Sequence, residues 1–325
     1  MTLSIVIVNF RGWKRLRLCL ESLRCLQQAN FTWEVIIIDN QSNDNQLPQF
    51  EADFPEFSFF ENEGNFGFAN GCNVGASHAT GEFIFFLNPD TTSSLDAFQH
   101  LLEVADENPD VTILTCQQLN DKGKDTKPYG LFLRPATLTS LFRAIYRLLH
   151  NTLPEIQLKS GQWTQSPEWV SGSAILMRRN DFTRLHGWCE DYWMYFEDAD
   201  LCKRVWETGG KIALLNTTKL THNHGGASRV NSVTKALTKS EVLISRHVYV
   251  SKHFTGIKRS LMQAYLVFDN LIISHLLISL IGVVLFFIPS INAYTKLYRN
   301  ILTYYRHVVV NKTWLSPRSV NFNRV

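Results

Sequence analysis

Short apolar runs and helical stripes alternate along the first hundred residues of the chain. Leu3 to Val8 is a β-branched run suited to a strand buried on both faces. After Arg11-Gly12, Leu16, Leu20 and Leu23 recur at helical spacing. Val35 to Ile38 predicts a second buried strand, ending in the polar cluster Asp39-Asn40-Gln41-Ser42-Asn43-Asp44. Phe57 to Phe60 predicts a short third strand. The Gly- and Asn-rich stretch Asn62 to Gly75 then runs into a helix, and Phe83 to Leu87 is another buried strand. That order indicates a βαβα parallel sheet, part of an α/β fold.

The pattern weakens from Asn120 to Pro167, where Pro128, Pro135 and Pro154 fall; this stretch reads as an acceptor-side insertion or a mobile loop. It returns with Trp169 to Met177, a small-residue turn entering a strand. A helix is predicted to begin near Asp198 and run through Leu201, Val205 and Trp206 until Gly209-Gly210 stops it. The last third is helical in character. Asn270 and Pro289 bracket an apolar run over 271–288, near the lower length limit for spanning a bilayer. Tyr294, Tyr298, Tyr304 and Tyr305 follow, mixed with Lys296, Arg299 and Arg306, as an interfacial belt requires. The run therefore reads as a membrane segment or surface anchor, with a buried helical hairpin as the alternative.

Composition narrows the function classes. Of the 325 residues 45% are hydrophobic and 19% charged, as in an ordinary folded protein, and the net charge of +3 leaves no basic footprint for nucleic acid. The six cysteines have no zinc-ribbon or redox spacing and read as reduced, buried small hydrophobes. The amino-terminal run lacks a basic flank and a cleavage site, so it reads as the first strand and the domain as cytoplasmic.

Ligands of parallel α/β sheets sit beyond the carboxyl ends of the strands. Asn9, Asp39, Asn88 and Asp90 all follow such ends and are expected to share one crevice. Asp39 could accept a hydrogen bond from a pyrimidine imide N–H, or simply form an Asx turn. Asp90, in Asn88-Pro89-Asp90, could hold a divalent cation against a leaving diphosphate, or open a helix. Glu197-Asp198-Ala199-Asp200 sits against the aromatic run Trp193 to Phe196. Acids in a first helical turn gain from the macrodipole, but an apolar wall also raises a carboxylate pKa, as a general base requires. His222 and His224, beside Gly225-Gly226, could complete a metal site, and Arg229 could bind diphosphate.

These residues resemble glycosyltransferase family 2. The resemblance rests on Ser4 to Phe10, Ile37 to Ser42, Asn65-Phe66-Gly67-Phe68-Ala69 through Asn73, Leu87 to Thr91, Gly172-Ser173-Ala174 and Tyr195 to Leu201. The Asn-Pro-Asp and Glu-Asp-Ala-Asp-Leu versions are most similar to bacterial rhamnosyltransferases of cell-surface polysaccharide assembly. It implies a GT-A fold over residues 1–230, with about 1–115 binding nucleotide sugar and 116–230 forming the acceptor and catalytic part, followed by a helical extension over 231–325. It also implies an inverting single displacement dependent on Mg²⁺ or Mn²⁺. Asp198 would be the base; Asn9, Asp39, Asn65, Gly67, Asn73, Asn88, Asp90 and Arg229 would meet the donor. Trp193, Glu197 and Asp200 would lie on the acceptor side, and Asp90 with His222 or His224, His222 preferred, would hold the metal. Asn88 departs from the pattern, since many members have Asp there.

The expected reaction is transfer of L-rhamnose from a dTDP donor to a lipid-linked glycan of O-antigen or capsule, at the cytoplasmic face of the inner membrane. A glycoside hydrolase also uses two carboxylates but needs no nucleotide. A dinucleotide-dependent oxidoreductase fits worse, because no G-x-G-x-x-G follows the first strand. A membrane-attached glycan-binding or scaffold protein on a transferase-like fold is the non-enzymatic alternative.

Overall fold

The computed structural model describes residues 2–138, 140–149, 153–223, 232–273, 275–285, 287 and 289–324. The predicted alternation is present. β1 (Leu3–Asn9), α1 (Trp13–Leu23), β2 (Trp33–Asp39), α2 (Leu47–Asp53), β3 (Ser58–Glu61), α3 (Phe68–His78) and β4 (Phe83–Leu87) follow one another. β1 and β4 are buried at every position, which is why they read as unbroken apolar runs. Leu16, Leu20 and Leu23 form the buried stripe of α1. Gly71 and Gly75 let α3 lie close to the sheet: a Cβ on Gly75 would stand 2.3 Å from Val6 Cγ1.

The chain continues through β5 (Thr91–Thr92), α4 (Leu95–Glu107), β6 (Val111–Leu119), β7 (Tyr129–Gly130), α5 (Ser140–Leu149), β8 (Glu155–Gln157), β9 (Trp163–Gln165), β10 (Trp169–Val170) and β11 (Ala174–Arg178). Then come α6 (Arg179–Arg184), α7 (Glu197–Glu207) and β12 (Lys211–His222). The main sheet has the order β3-β2-β1-β4-β11-β6-β12-β9-β8, with β5 paired to β12. β3, β2, β1 and β4 run parallel; β11 is antiparallel to β4 and β6, and β12 is parallel to β6. The poorly patterned middle thus contains two short strands of this sheet and the helix α5, none of which the sequence pattern resolves.

The chain divides into two compact units. The first, Met1–Phe132, His150–Cys189 and Asp198–His224, holds the main sheet. The second comprises Leu133–Leu149, Glu190–Glu197 and Gly225–Val325. It contains α8 (Ser232–His253), α9 (Gly256–Phe268), α10 (Leu276–Val284) and α11 (Pro289–Asn311). Ala236 and Ile244 of α8 pack on Leu297, Ile301 and Tyr304 of α11.

Among the described residues, the apolar run over 271–288 is divided between several elements. A π-helical turn covers Asp269–Ile273, α10 is nine residues long, and α11 starts at Pro289. Among the described residues no helix is long and apolar enough to cross a membrane. Asn270, in the π-helical turn, is buried inside the unit and donates to the Tyr305 hydroxyl at 3.0 Å.

Candidate active site

Three parallel strands deliver their ends to the same side of the sheet. Asn9 faces Asp39 in the β1–β2 register, and Ile7 faces Leu87 in the β1–β4 register. The buried Asp39 carboxylate accepts the Asn9 side-chain amide at 3.1 Å, the Ser42 N–H at 2.8 Å and the Ser42 hydroxyl. Asn9 Oδ1 accepts the Gly12 N–H at 3.1 Å. The turn chemistry therefore exists, and it fixes the carboxylate at the strand end with lone-pair capacity remaining.

The next glycine and asparagine residues shape the entry to α3. Gly67 has φ +96°, a conformation that favours glycine, and its carbonyl accepts the Asn40 side-chain amide at 2.9 Å. Asn65 Oδ1 accepts the Gly67 N–H at 3.4 Å. Asn73 is turned to the backbone of Trp188, accepting its N–H and donating to its carbonyl, both at 2.9 Å.

Asp90 is placed by two strand pairings. The Asn88 N–H donates to Ser173 O at 2.9 Å as β4 leaves β11. Thr91 of β5 faces His222 of β12, and the Asn223 N–H donates to Asp90 O at 2.9 Å. As a result Asp90 Oδ1 stands 3.1 Å from His222 Nε2, and Oδ2 stands 3.2 Å from Arg15 Nη1. Arg15 also donates to Asn223 O at 2.9 Å. The other ring nitrogen of the buried His222 lies 2.8 Å from Gln118 Oε1, and Gln118 Nε2 donates to Ser173 Oγ at 2.8 Å. Carboxylate and imidazole together suit a divalent cation, and a partner on the distal ring nitrogen is the usual means of orienting a histidine ligand. Among the described residues no group of three His, Cys, Asp or Glu side chains forms such a site. His224 and Arg229 lie outside the described residues.

Asp198 opens α7 and is tied back to the same region. Its Oδ2 accepts the Gly172 N–H at 3.2 Å, and its Oδ1 accepts the Ala199 N–H at 2.8 Å. Gly172 immediately precedes Ser173, whose carbonyl and hydroxyl serve Asn88 and Gln118. Phe68 and Trp188 lie close to Gly172: a Cβ there would stand 3.2 Å and 3.3 Å from those rings, and 3.6 Å from Asp198 Cβ. Burial pushes the Asp198 carboxyl up to about 6, against the lowering effect of the Ala199 and Gly172 amides.

The aromatic run that precedes this carboxylate in sequence belongs to the second unit. Trp193 is buried with the Arg318 guanidinium over its ring, and Phe196 packs on Tyr249 at 5.7 Å. Tyr195 and Phe196 adopt φ +70° and +68°, an uncommon and costly conformation for aromatic residues just before α7. Glu197 is buried, and the fully buried Asp200 pairs with Arg204 one turn along α7 at 2.8 Å. Arg15 and Gln118 carry no signal in the sequence, because only the pairing of distant strands gives them their neighbours.

The sequence model of "Glycosyl transferase family 2" matches residues 4–200. Rhamnosyltransferase WbbL of Escherichia coli K12 is 23% identical over 215 residues, covering 64% of this chain and 78% of that protein. The fold is similar to that of S. aureus TarS 1-349 in complex with UDP-GlcNAc, with TM-score 0.50, 15% identity, and coverage of 85% of this chain and 74% of that one. GalNAc-T7 with UDP, GalNAc and Mn²⁺ gives the same TM-score of 0.50 and 15% identity, over 76% of this chain and 49% of that one.

Proposed function

The chain belongs to glycosyl transferase family 2 and is a glycosyltransferase of GT-A fold, and on that premise we propose that it transfers L-rhamnose from dTDP-L-rhamnose, with inversion, to a hydroxyl of a lipid-linked glycan. The setting is cell-surface polysaccharide assembly at the cytoplasmic face of the inner membrane. The likeness to Rhamnosyltransferase WbbL supports the sugar, and the UDP-GlcNAc complex of TarS supports a nucleotide-sugar donor.

The observation that carries the reading is the short path from Asp198 to Asp90. Asp198 is held by Gly172, the neighbouring Ser173 accepts the Asn88 N–H, and Asp90 lies two residues beyond Asn88. A base and a diphosphate-binding end are thereby tied to one turn. Asp198 takes the proton of the acceptor hydroxyl. The acceptor oxygen forms its bond to the anomeric carbon on the face opposite the nucleotide, and the bond to the diphosphate oxygen breaks with its electron pair leaving on that oxygen. Asp39 contacts the pyrimidine, with Asn9 holding its carboxylate. Asp90 and His222 would hold Mg²⁺ or Mn²⁺, which would offset charge on the diphosphate when bound. The Mn²⁺ in the GalNAc-T7 structure supports a cation of this kind.

A panel of dTDP-, UDP- and GDP-sugars, assayed for nucleoside diphosphate release with Mn²⁺ and a lipid-linked glycan, tests the donor. Fastest release from dTDP-L-rhamnose is the expected result. A tenfold or greater preference for a UDP-hexose would overturn it.

A further inference from the structure

The second unit carries an apolar surface that its own packing does not use. On α9 the residues Ile257, Leu261, Ala264 and Phe268 recur at helical spacing and are all exposed, Ile257 at 79% and Leu261 at 66%. Ile272 extends the same spacing into the π-helical turn and is 50% exposed. The opposite face of α9 is the one that packs, through the buried Met262, Gln263 and Leu266. Further exposed apolar side chains follow on α10, Val284 among them at 72%. A run of exposed large hydrophobics confined to one region marks an interaction surface.

Charge identifies the occupant. From Phe254 to Val325 the sequence holds eight lysines and arginines and a single acid, Asp269. Asp269 faces the buried Arg246 at 3.8 Å. Lys258 is exposed beside the stripe and Arg259 is exposed in the same first turn of α9, and Arg299 and Arg306 are exposed on α11 with Leu302 and Val309. A second copy of the chain would bring like charges together on this face. A lipid leaflet with anionic headgroups instead accepts the apolar stripe into its acyl boundary and attracts the surrounding cations.

We propose that the face formed by α9, the π-helical turn and α10 docks in the plane of an anionic bilayer, without spanning it. The docking is independent of which sugar is transferred, so its test does not use the transferase assay. The full chain is sedimented with vesicles of phosphatidylcholine alone and of phosphatidylcholine with equal phosphatidylglycerol. Two variants accompany it: Ile257→Ser with Phe268→Ser, and Lys258→Glu with Arg259→Glu. All four positions are exposed, and circular dichroism confirms that each variant is folded.

Binding to the anionic vesicles, weakened by high salt and reduced by about tenfold or more in each variant, is the expected result. The charge variant alone suffices if the serine variant does not fold. No binding to phosphatidylglycerol vesicles, equal binding to neutral ones, or unchanged binding in both variants overturns the proposal. Self-association that Ile257→Ser with Phe268→Ser abolishes also overturns it, by making the face a contact between copies.

Discussion

Nε2 of His222 lies 3.1 Å from Oδ1 of Asp90, while Nδ1 of the same ring lies 2.8 Å from Oε1 of Gln118. Because Gln118 donates its amide to Ser173, its oxygen is the atom that accepts, so His222 donates from Nδ1 and presents Nε2 to the Asp90 carboxylate. A divalent cation, when bound, would be shared by this nitrogen and the carboxylate. Gln118→Ala is expected to weaken Mn²⁺ binding by about 10- to 100-fold, and His222→Ala by more. Titration of Mn²⁺ followed by electron paramagnetic resonance measures this without turnover. An unchanged Mn²⁺ Kd in Gln118→Ala would show that the contact merely packs the strand. Chelation should abolish nucleotide release, and Mn²⁺ should restore it.

Asp198 gives a prediction in two parts. With its carboxyl up to about 6 in the folded protein, the base form dominates only above that pH. kcat should therefore rise as pH increases through about 6 and level off beyond it. Asp198→Asn should lower kcat by roughly 10²- to 10⁴-fold while leaving the donor Kd near its original value. The linkage runs the other way for stability. A carboxyl raised above its ordinary value of 3.8 favours the folded state when protonated, and that contribution disappears as pH rises through about 6. Asp198→Asn should thus be more stable near neutral pH, by at most roughly 3 kcal/mol. A urea midpoint that falls in the variant would argue against a desolvated carboxylate.

The parts of this site that sequence could expose are those whose local pattern already reflects their environment. Strands buried on both faces must be apolar, so β1, β2 and β4 and the polar residues at their ends were legible. The start of α7 was legible because acids collect in a first helical turn. Gln118 and Arg15 were not, since nothing in their own neighbourhoods distinguishes them: the β5–β12 pairing brings His222 to Asp90, and only then do Gln118 and Arg15 acquire a purpose. The apolar neighbours of Gly172 were hidden for the same reason. Phe68 reaches Gly172 from a distant part of the chain, and Trp188 comes from outside the aromatic run that adjoins Asp198 in sequence. In the tail, hydropathy averages over 271–288 and cannot register that the flanking Asn270 is held inside by Tyr305.

The seat of α3 on the sheet should be sensitive to a single methyl group. At Gly75 an added Cβ would come within 2.3 Å of Val6 Cγ1 and 3.2 Å of Ile38 Cγ1, both in fully packed strands. Gly75→Ala should lose about 1–3 kcal/mol despite alanine's better helix propensity. Adding Val6→Ala removes the colliding methyls, so the double variant should lose less than the sum of the two single losses. Urea denaturation of the four proteins measures the coupling, and strict additivity would mean that the helix shifts instead.

The helical unit should weaken in acid through His247. This imidazole is fully buried, 2.9 Å from the Tyr305 hydroxyl, near Gln263 Oε1, and stacked on Trp314 with ring centroids 4.8 Å apart. Burial lowers its pKa from 6.5 to about 3, aided by the charge of Arg246 and opposed by the bond to Gln263. A folded-state pKa below the unfolded one means that the unfolded chain takes up the proton first. Stability from the neutral ring is therefore fully present above about 6.5 and falls as pH drops toward 3. Between pH 7 and pH 4.5 the loss from this group is roughly 2–3 kcal/mol. His247→Gln cannot titrate, so its stability should fall less over the same interval, even though the substitution costs stability at pH 7. Urea unfolding followed by tryptophan fluorescence, Trp314 being in contact with the ring, compares the two slopes. Equal slopes would show that the acid sensitivity resides elsewhere.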